Sequence, residues 1–282
     1  MKERMKGIVE FILILMLGLV TFVLFSHIRP ILSGSHDLIG RVSFISALLL
    51  CALLARKSDR LKKYWEMLFA FFIAASVTSV DYYLPSGRWL MSVLNIQMQT
   101  PAGIAIDKLD SSIIIVGLTA VLTRMSGGTP DSIFISRRNI RRGISIGIIT
   151  FIIAAAGSVF IAEIYGAQNL TPARIFQWMP WILIFIAGNA LNEELLFRGL
   201  FLRKTGACLG KFRSNLVLAI PFVLHHTGVT YTNDALLFLA YLLPLALIWG
   251  YLMQKTDSLW ASVLFHAGTD IPIALVIFSQ LN

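Results

Sequence analysis

Charge is scarce in this chain, and negative charge is the scarcer sign. Charged residues fill 14% of its 282 positions, against about 25% in a soluble domain. Fifteen residues are Asp or Glu and 24 are Lys or Arg, while 57% are hydrophobic. Such a balance excludes a soluble globular enzyme and implies an integral membrane protein. The two cysteines, Cys51 in an apolar run and Cys208 in a basic loop, offer neither a disulfide framework nor a thiolate metal site. No HExxH zinc signature occurs, and there is no internal repeat or low-complexity segment. The soluble-looking pieces are loops, such as SGGTPDS (Ser126 to Ser132) and the basic run RRNIRR that follows it, Arg137 to Arg142.

What the sequence has in abundance is apolar runs. About 20 such residues span the hydrocarbon core as a helix, and candidate spans fall at 8–26, 38–55, 66–84, 104–124, 143–165, 176–202, 214–230, 235–253 and 258–281. The basic start MKERMK resembles that of a signal peptide. The apolar run behind it is long and no small-x-small cleavage site follows, so it reads as a retained first transmembrane helix. Alternating the loops from a cytoplasmic N-terminus places 18 Lys or Arg on one side, in loops 1–7, 56–65, 124–142, 203–213 and 254–257. Four fall on the other side: Arg29, Arg88, Lys108 and Arg174. This asymmetry supports the division and predicts a multi-pass cell-membrane protein with its N-terminus in the cytoplasm. It also accounts for the net charge of +9. That charge is spread over loops that meet anionic lipid, so the bilayer is the expected partner and nucleic acid is not. The expected fold is all-α, a polytopic transmembrane helical bundle of eight or nine spans.

One span breaks the rule that membrane helices avoid charge. WILIFIAGNALNEELLFRGLFL, Trp181 to Leu202, carries Glu193, Glu194 and Arg198. Each deep ionisable residue costs roughly 2.5–3.5 kcal/mol on insertion scales, so such residues mark function. Two later spans do the same, with His225 and His226 in PFVLHHTG and His266 and Asp270 in LFHAGTD. At 1.5 Å per residue, Glu193 lies about 15 Å from Arg203, His226 about 18 Å from Ser214 and His266 about 12 Å from Ser258, a common depth. Glu194 and Arg198 stand four residues apart and can pair on one face. Glu193 then points elsewhere, sharing its face with Asn189, and Phe222 shares a face with His226. Arg41, near the end of its span, is expected to reach the interface. His225 is expected to be a neighbour of the site rather than a participant.

EELLFR (Glu193 to Arg198), Phe222 to His226 and His266 to Asp270 match, in order, the EExxxR, FxxxH and HxxxN/D motifs. On these motifs the chain resembles the CAAX prenyl protease and bacteriocin-processing (CPBP) family of intramembrane peptidases. The resemblance divides the chain into transmembrane helices of unassigned role, 1–142, and a catalytic core, 143–282, with a cavity within the C-terminal helices expected to open towards the cytoplasm. It implies hydrolysis of a peptide bond in a membrane-associated peptide or protein. Carried over by motif, Glu193 and His226 activate water, and His266 and Asp270 hold the oxyanion or complete the site. Glu194 and Arg198 form a structural pair that orients Glu193, with Asn189 and Phe222 in support.

Two versions of the chemistry stay open. In one, Glu193, His226 and His266 bind Zn²⁺ and leave a position for water; in the other, Glu193 acts on water without a metal. The last motif ends in Asp270 where relatives often have Asn. Asn can donate to an oxyanion, and an ionised Asp cannot, so Asp270 is either held protonated or orients His266 or a metal. A silent membrane scaffold of the same fold and a proton-coupled transporter are the other function classes that deep carboxylates and histidines allow.

Overall fold

A computed structural model describes residues 2–26, 29–84, 86–232 and 234–281, and among them the chain is helical with no strand. The helices are α1 (Lys2–Leu19), α2 (Gly34–Lys57), α3 (Trp65–Tyr83), α4 (Ser86–Val93), α5 (Pro101–Met125), α6 (Ile140–Ala156), α7 (Ser158–Ile164), α8 (Pro172–Glu193), α9 (Leu202–Leu209), α10 (Lys211–His225), α11 (Ala235–Thr256) and α12 (Leu259–Ser279). Their ends follow local chemistry. Thr100 and Thr171 each accept a hydrogen bond from the third backbone N–H beyond them, with Pro at the first helical position of α5 and α8. Asp234 caps α11 in the same way. This is the usual satisfaction of the free donors at a helix start.

All nine expected spans are helical, but the count of crossing helices is smaller. Five helices among the described residues are long and apolar enough to cross a membrane, or six if the bent pair α6–α7 is one span. The shortfall has visible causes. Helix α10 has only 15 residues, and α5 carries Asp107, Lys108, Asp110 and Arg124. Helix α3 has Glu66 and Asp81 near its ends. The chain is a multi-pass helical membrane protein, and bulky apolar side chains such as Ile149, Ile152 and Ile153 of α6 face outward, as lipid contact requires.

Polar contacts sort the loops onto two faces. On one, Arg203 and Asn139 both bind Asp257, at 2.5 and 3.2 Å. Lys204 donates to the Ser132 carbonyl and Gln254 to that of Lys211. Lys63 pairs with Glu10 at 3.0 Å, and a Cβ at Gly7 would stand 3.3 Å from the Arg213 guanidinium. These contacts gather the five basic loops together. The other face collects Arg29 against Gly228, Gln280 on the Tyr231 carbonyl and the Gln168 amide on Ser279. The side chains of Lys2, Arg4 and Arg88, which enter the loop-charge count, lie outside the described set.

Small residues bring the core helices close. A Cβ at Gly268 of α12 would stand 2.9 Å from the Phe151 carbonyl and from Ala154 of α6, and one at Gly188 of α8 would stand 3.2 Å from the Lys108 carbonyl of α5. Backbone approach of this kind is the usual basis of helix packing in lipid. Arg41 departs from expectation. It is buried and pairs with Asp37 at 2.7 Å, while its Nη1 and Nη2 donate to the carbonyls of Phe25 and Ser26. It is therefore a latch between α2 and the end of the first helix, because these partners within reach outweigh the pull of the interface.

Candidate active site

Helix α8 does not end as an α-helix. Glu193 is its last residue, and Glu194–Gly199 form a π turn, with the Leu200 amide bonded to the Leu195 carbonyl at 3.0 Å. Such turns are rare and concentrate at functional sites. The expected pair forms across this turn, with Arg198 Nη1 donating to Glu194 Oε1 at 2.6 Å and both side chains buried. The guanidinium also donates to the Ala246 carbonyl and lies over the rings of Phe222 and Trp249.

Glu194 does more than pair with Arg198. His266 Nδ1–H donates to Glu194 Oε1 at 2.8 Å, and Ser262 donates to Glu194 Oε2. Glu194 thus orients His266, where the sequence suggested that it orients Glu193. Trp249 fixes the same imidazole from its face, stacked at 3.8 Å with 8° between the rings. The remaining edge of His266, its Nε2, points at Glu193 Oε2 at 3.6 Å and Asp270 Oδ1 at 3.4 Å.

The second histidine is set by its own helix. His226 Nδ1–H donates to the Phe222 carbonyl one turn back at 2.8 Å, and the Phe222 ring lies 4.7 Å from the imidazole. Its Nε2 faces the cavity and lies 3.8 Å from Glu193 Oε1. Asn189 does not serve Glu193. Its amide donates to Asp270 Oδ2 at 3.1 Å, which casts Asp270 as an acceptor. His225 turns away, towards Ser26 and the Phe22 carbonyl at 3.1 and 2.7 Å. All eight residues expected at the site thus meet in one place, from α8 and the π turn after it, α10 and the turn after it, and α12.

Six of the eight, Asn189, Glu193, Phe222, His226, His266 and Asp270, line a cavity of about 720 Å³. Glu193 Oε2 is buried there and accepts no hydrogen bond from the described residues. Three lining residues carry no signal in the sequence: Trp249, Lys108 and Tyr231. Among the described residues, Lys108 is the only Lys or Arg in the lining, and it comes from α5, outside the region 143–282. Tyr231 lies just past α10, and burial together with the Glu193 and Asp270 carboxylates pushes its phenol well above the ordinary tyrosine value. A lone aromatic in an apolar chain is indistinguishable from a core residue in sequence, and only the fold brings Trp249 and Tyr231 to the carboxylates.

The cavity does not open towards the basic loops. None of its described lining comes from them, while Gly228, Val229, Thr230 and Tyr231 do line it. Towards the basic loops, Leu195, Leu196, Phe197, Phe201, Met253 and Leu259 are at most 1% exposed. The described lining runs to residues 228–231 and not to the basic loops, which departs from the expected opening.

The zinc version meets a geometric test. Among the described residues, no group of three His, Cys, Asp or Glu side chains is arranged to hold a metal ion.

Residues 174–272 match the family model described as type II CAAX prenyl endopeptidase Rce1-like. The matched range contains all eight residues, and it establishes the family resemblance read from the three motifs. No curated protein and no solved structure matches the chain.

Proposed function

We propose that this chain, a multi-pass membrane protein with an Rce1-like domain, is an intramembrane endopeptidase in which Glu193 activates water against a peptide bond. The observation that carries the proposal is the position of Glu193, buried at the base of the cavity between two imidazole Nε2 atoms at 3.8 and 3.6 Å.

The geometry supports a specific division of labour. Glu193 Oε1 and His226 Nε2 stand 3.8 Å apart, too far to share a proton directly. A water between them donates one hydrogen to each, which is the arrangement of a general base with a relay. On attack, the water oxygen bonds to the scissile carbonyl carbon and its proton passes to Glu193. The carbonyl oxygen gains the charge, and preorganised donors in a water-poor site commonly give the largest catalytic term. Two donors serve here: Nε2–H of a protonated His266, and the Tyr231 phenol, which its surroundings keep protonated. Collapse breaks the C–N bond, and the proton held by Glu193 passes to the leaving amine.

Glu194 and Trp249 act through His266. Glu194 accepts the hydrogen bond from Nδ1–H, and this fixes which nitrogen faces the cavity, as carboxylates do behind imidazoles in other sites. Asp270, held by Asn189, sets the far side of the same ring. Purified protein in lipid vesicles, supplied with a quenched fluorescent peptide bearing an apolar anchor, tests the proposal. Hydrolysis by the wild type and none by Glu193→Gln is the expected result. Equal signals from both proteins would count against it.

A further inference from the structure

The two faces of the bundle and the direction of the cavity together make a statement about substrate supply. The five loops carrying 18 of the 24 basic residues meet on one face: contacts among Arg203, Asn139, Asp257, Lys204 and Gln254 join three of them, Gly7 lies beside Arg213, and Lys63 pairs with Glu10. Loops rich in Lys and Arg stay in the cytoplasm, so that face is the cytoplasmic one. The cavity turns away from it. Its described lining includes residues 228–231, whose Tyr231 carbonyl accepts from Gln280 at the end of α12, and none of the basic loops, and towards those loops Phe197, Phe201 and Met253 are at most 1% exposed.

One flank of the cavity is also open to lipid. Phe160 and Ile164 of α7 and Tyr241 and Ile248 of α11 line it, and all four are exposed, by 68, 52, 56 and 42%. A ligand entering there meets hydrocarbon on one side and apolar side chains on the other. The carboxylates and imidazoles in the lining stand together at the Glu193 end, where its polar backbone finds partners. Unsatisfied peptide groups are costly in such surroundings, so the site favours an extended segment with apolar side chains and one peptide bond at the base.

We infer that the cavity takes its substrate from the non-cytoplasmic half of the membrane: a peptide segment that is already translocated or anchored there and embedded by apolar residues. The substrate class rests on the peptidase reading above, whereas the side of access does not.

Cysteine accessibility tests the side directly. In a Cys51→Ser, Cys208→Ser background, Thr230→Cys places a thiol at the mouth, and Gln168→Cys gives a second reporter on the same face. Thr129→Cys reports on the basic face. All three positions are exposed. Intact cells are treated with a membrane-impermeant maleimide. Label at Thr230→Cys and Gln168→Cys, with label at Thr129→Cys only after permeabilisation, is the expected pattern. The reverse pattern, or label at all three positions in intact cells, would overturn the inference. Adding Glu193→Gln to each variant leaves the pattern unchanged. A protein that cleaves nothing but labels as expected would therefore sink the peptidase reading alone. In a protein that cleaves, maleimide on Thr230→Cys blocks hydrolysis from outside the cell; cleavage unaffected by full labelling would overturn this route of entry.

Discussion

Glu194 accepts a hydrogen bond from His266 Nδ1 at 2.8 Å on the same oxygen that pairs with Arg198 at 2.6 Å. One carboxylate thus neutralises a buried guanidinium and fixes an imidazole from the neighbouring motif. The two motifs depend on each other through this atom.

The two tasks of Glu194 separate by mutation. Glu194→Gln leaves Arg198 buried without its counter-charge, a loss of roughly 3–5 kcal/mol for broken buried pairs. It also frees His266, and support of this kind is commonly worth about 10–100-fold in activity. Adding Arg198→Met restores thermal stability in detergent and leaves activity low. Recovery of both properties together would show that Glu194 acts only on folding.

Trp249 carries a second prediction. Trp249→Ala removes a fully buried ring, at about 3–5 kcal/mol, and loosens His266. Trp249→Phe keeps a face for the imidazole and retains most of the activity at nearly the original stability. Equal activity in the Ala and Phe variants, at a temperature where both are folded, would contradict a positioning role.

At Asp270 the prediction concerns acceptor chemistry. Asp270 accepts from Asn189 and borders His266 Nε2. In Asp270→Asn, the amide oxygen keeps the first contact and the amide group can donate towards the site, so activity is retained. Asp270→Ala loses both contacts, and hydrolysis falls by about tenfold or more on the scale of lost supporting contacts. A loss in Asp270→Asn as deep as that in Asp270→Ala would show that the charge itself is required.

The pH profile offers a check on Tyr231. Burial and two carboxylates raise its folded pKa above the ordinary value of 10, so the phenol stays protonated as pH rises through neutrality and up to that value. Tyr231→Phe lowers the rate of hydrolysis, and below pH 10 wild type and variant have profiles of the same shape. An alkaline fall in the wild type below that pH, absent from Tyr231→Phe, would mean that the phenol titrates early and has been misassigned.

Metal removal gives the last of these tests. A proteolytic preparation dialysed against a strong chelator retains its rate. Loss on dialysis with recovery on adding Zn²⁺ would revive a ligand set of Glu193, His226 and His266.

Much of this site is legible in the amino-acid order alone. Deep carboxylates and histidines are expensive in lipid, and their spacing along three helices sets both depth and face. The eight residues therefore converge as the motifs suggest. Three features are hidden. The π turn at Glu194 carries no composition signal, and it decides where Arg198 and Glu194 meet His266. Trp249, Lys108 and Tyr231 come from other segments, and only tertiary packing brings them to the cavity. The reach of the cavity depends on tertiary packing, and periodicity cannot say that residues 228–231 line it while the basic loops do not. The same limit applies to Arg41, which hydropathy places at a surface and Asp37 draws inside.

The most direct measurement compares cells expressing wild type with cells expressing Glu193→Gln at equal membrane levels. New peptide termini in the membrane and secreted fractions are mapped by mass spectrometry. The account predicts termini present with wild type, absent with Glu193→Gln, and located in apolar segments on the non-cytoplasmic side. Identical termini from both strains, with both proteins folded, would contradict it and leave a membrane scaffold that keeps its buried polar network for packing.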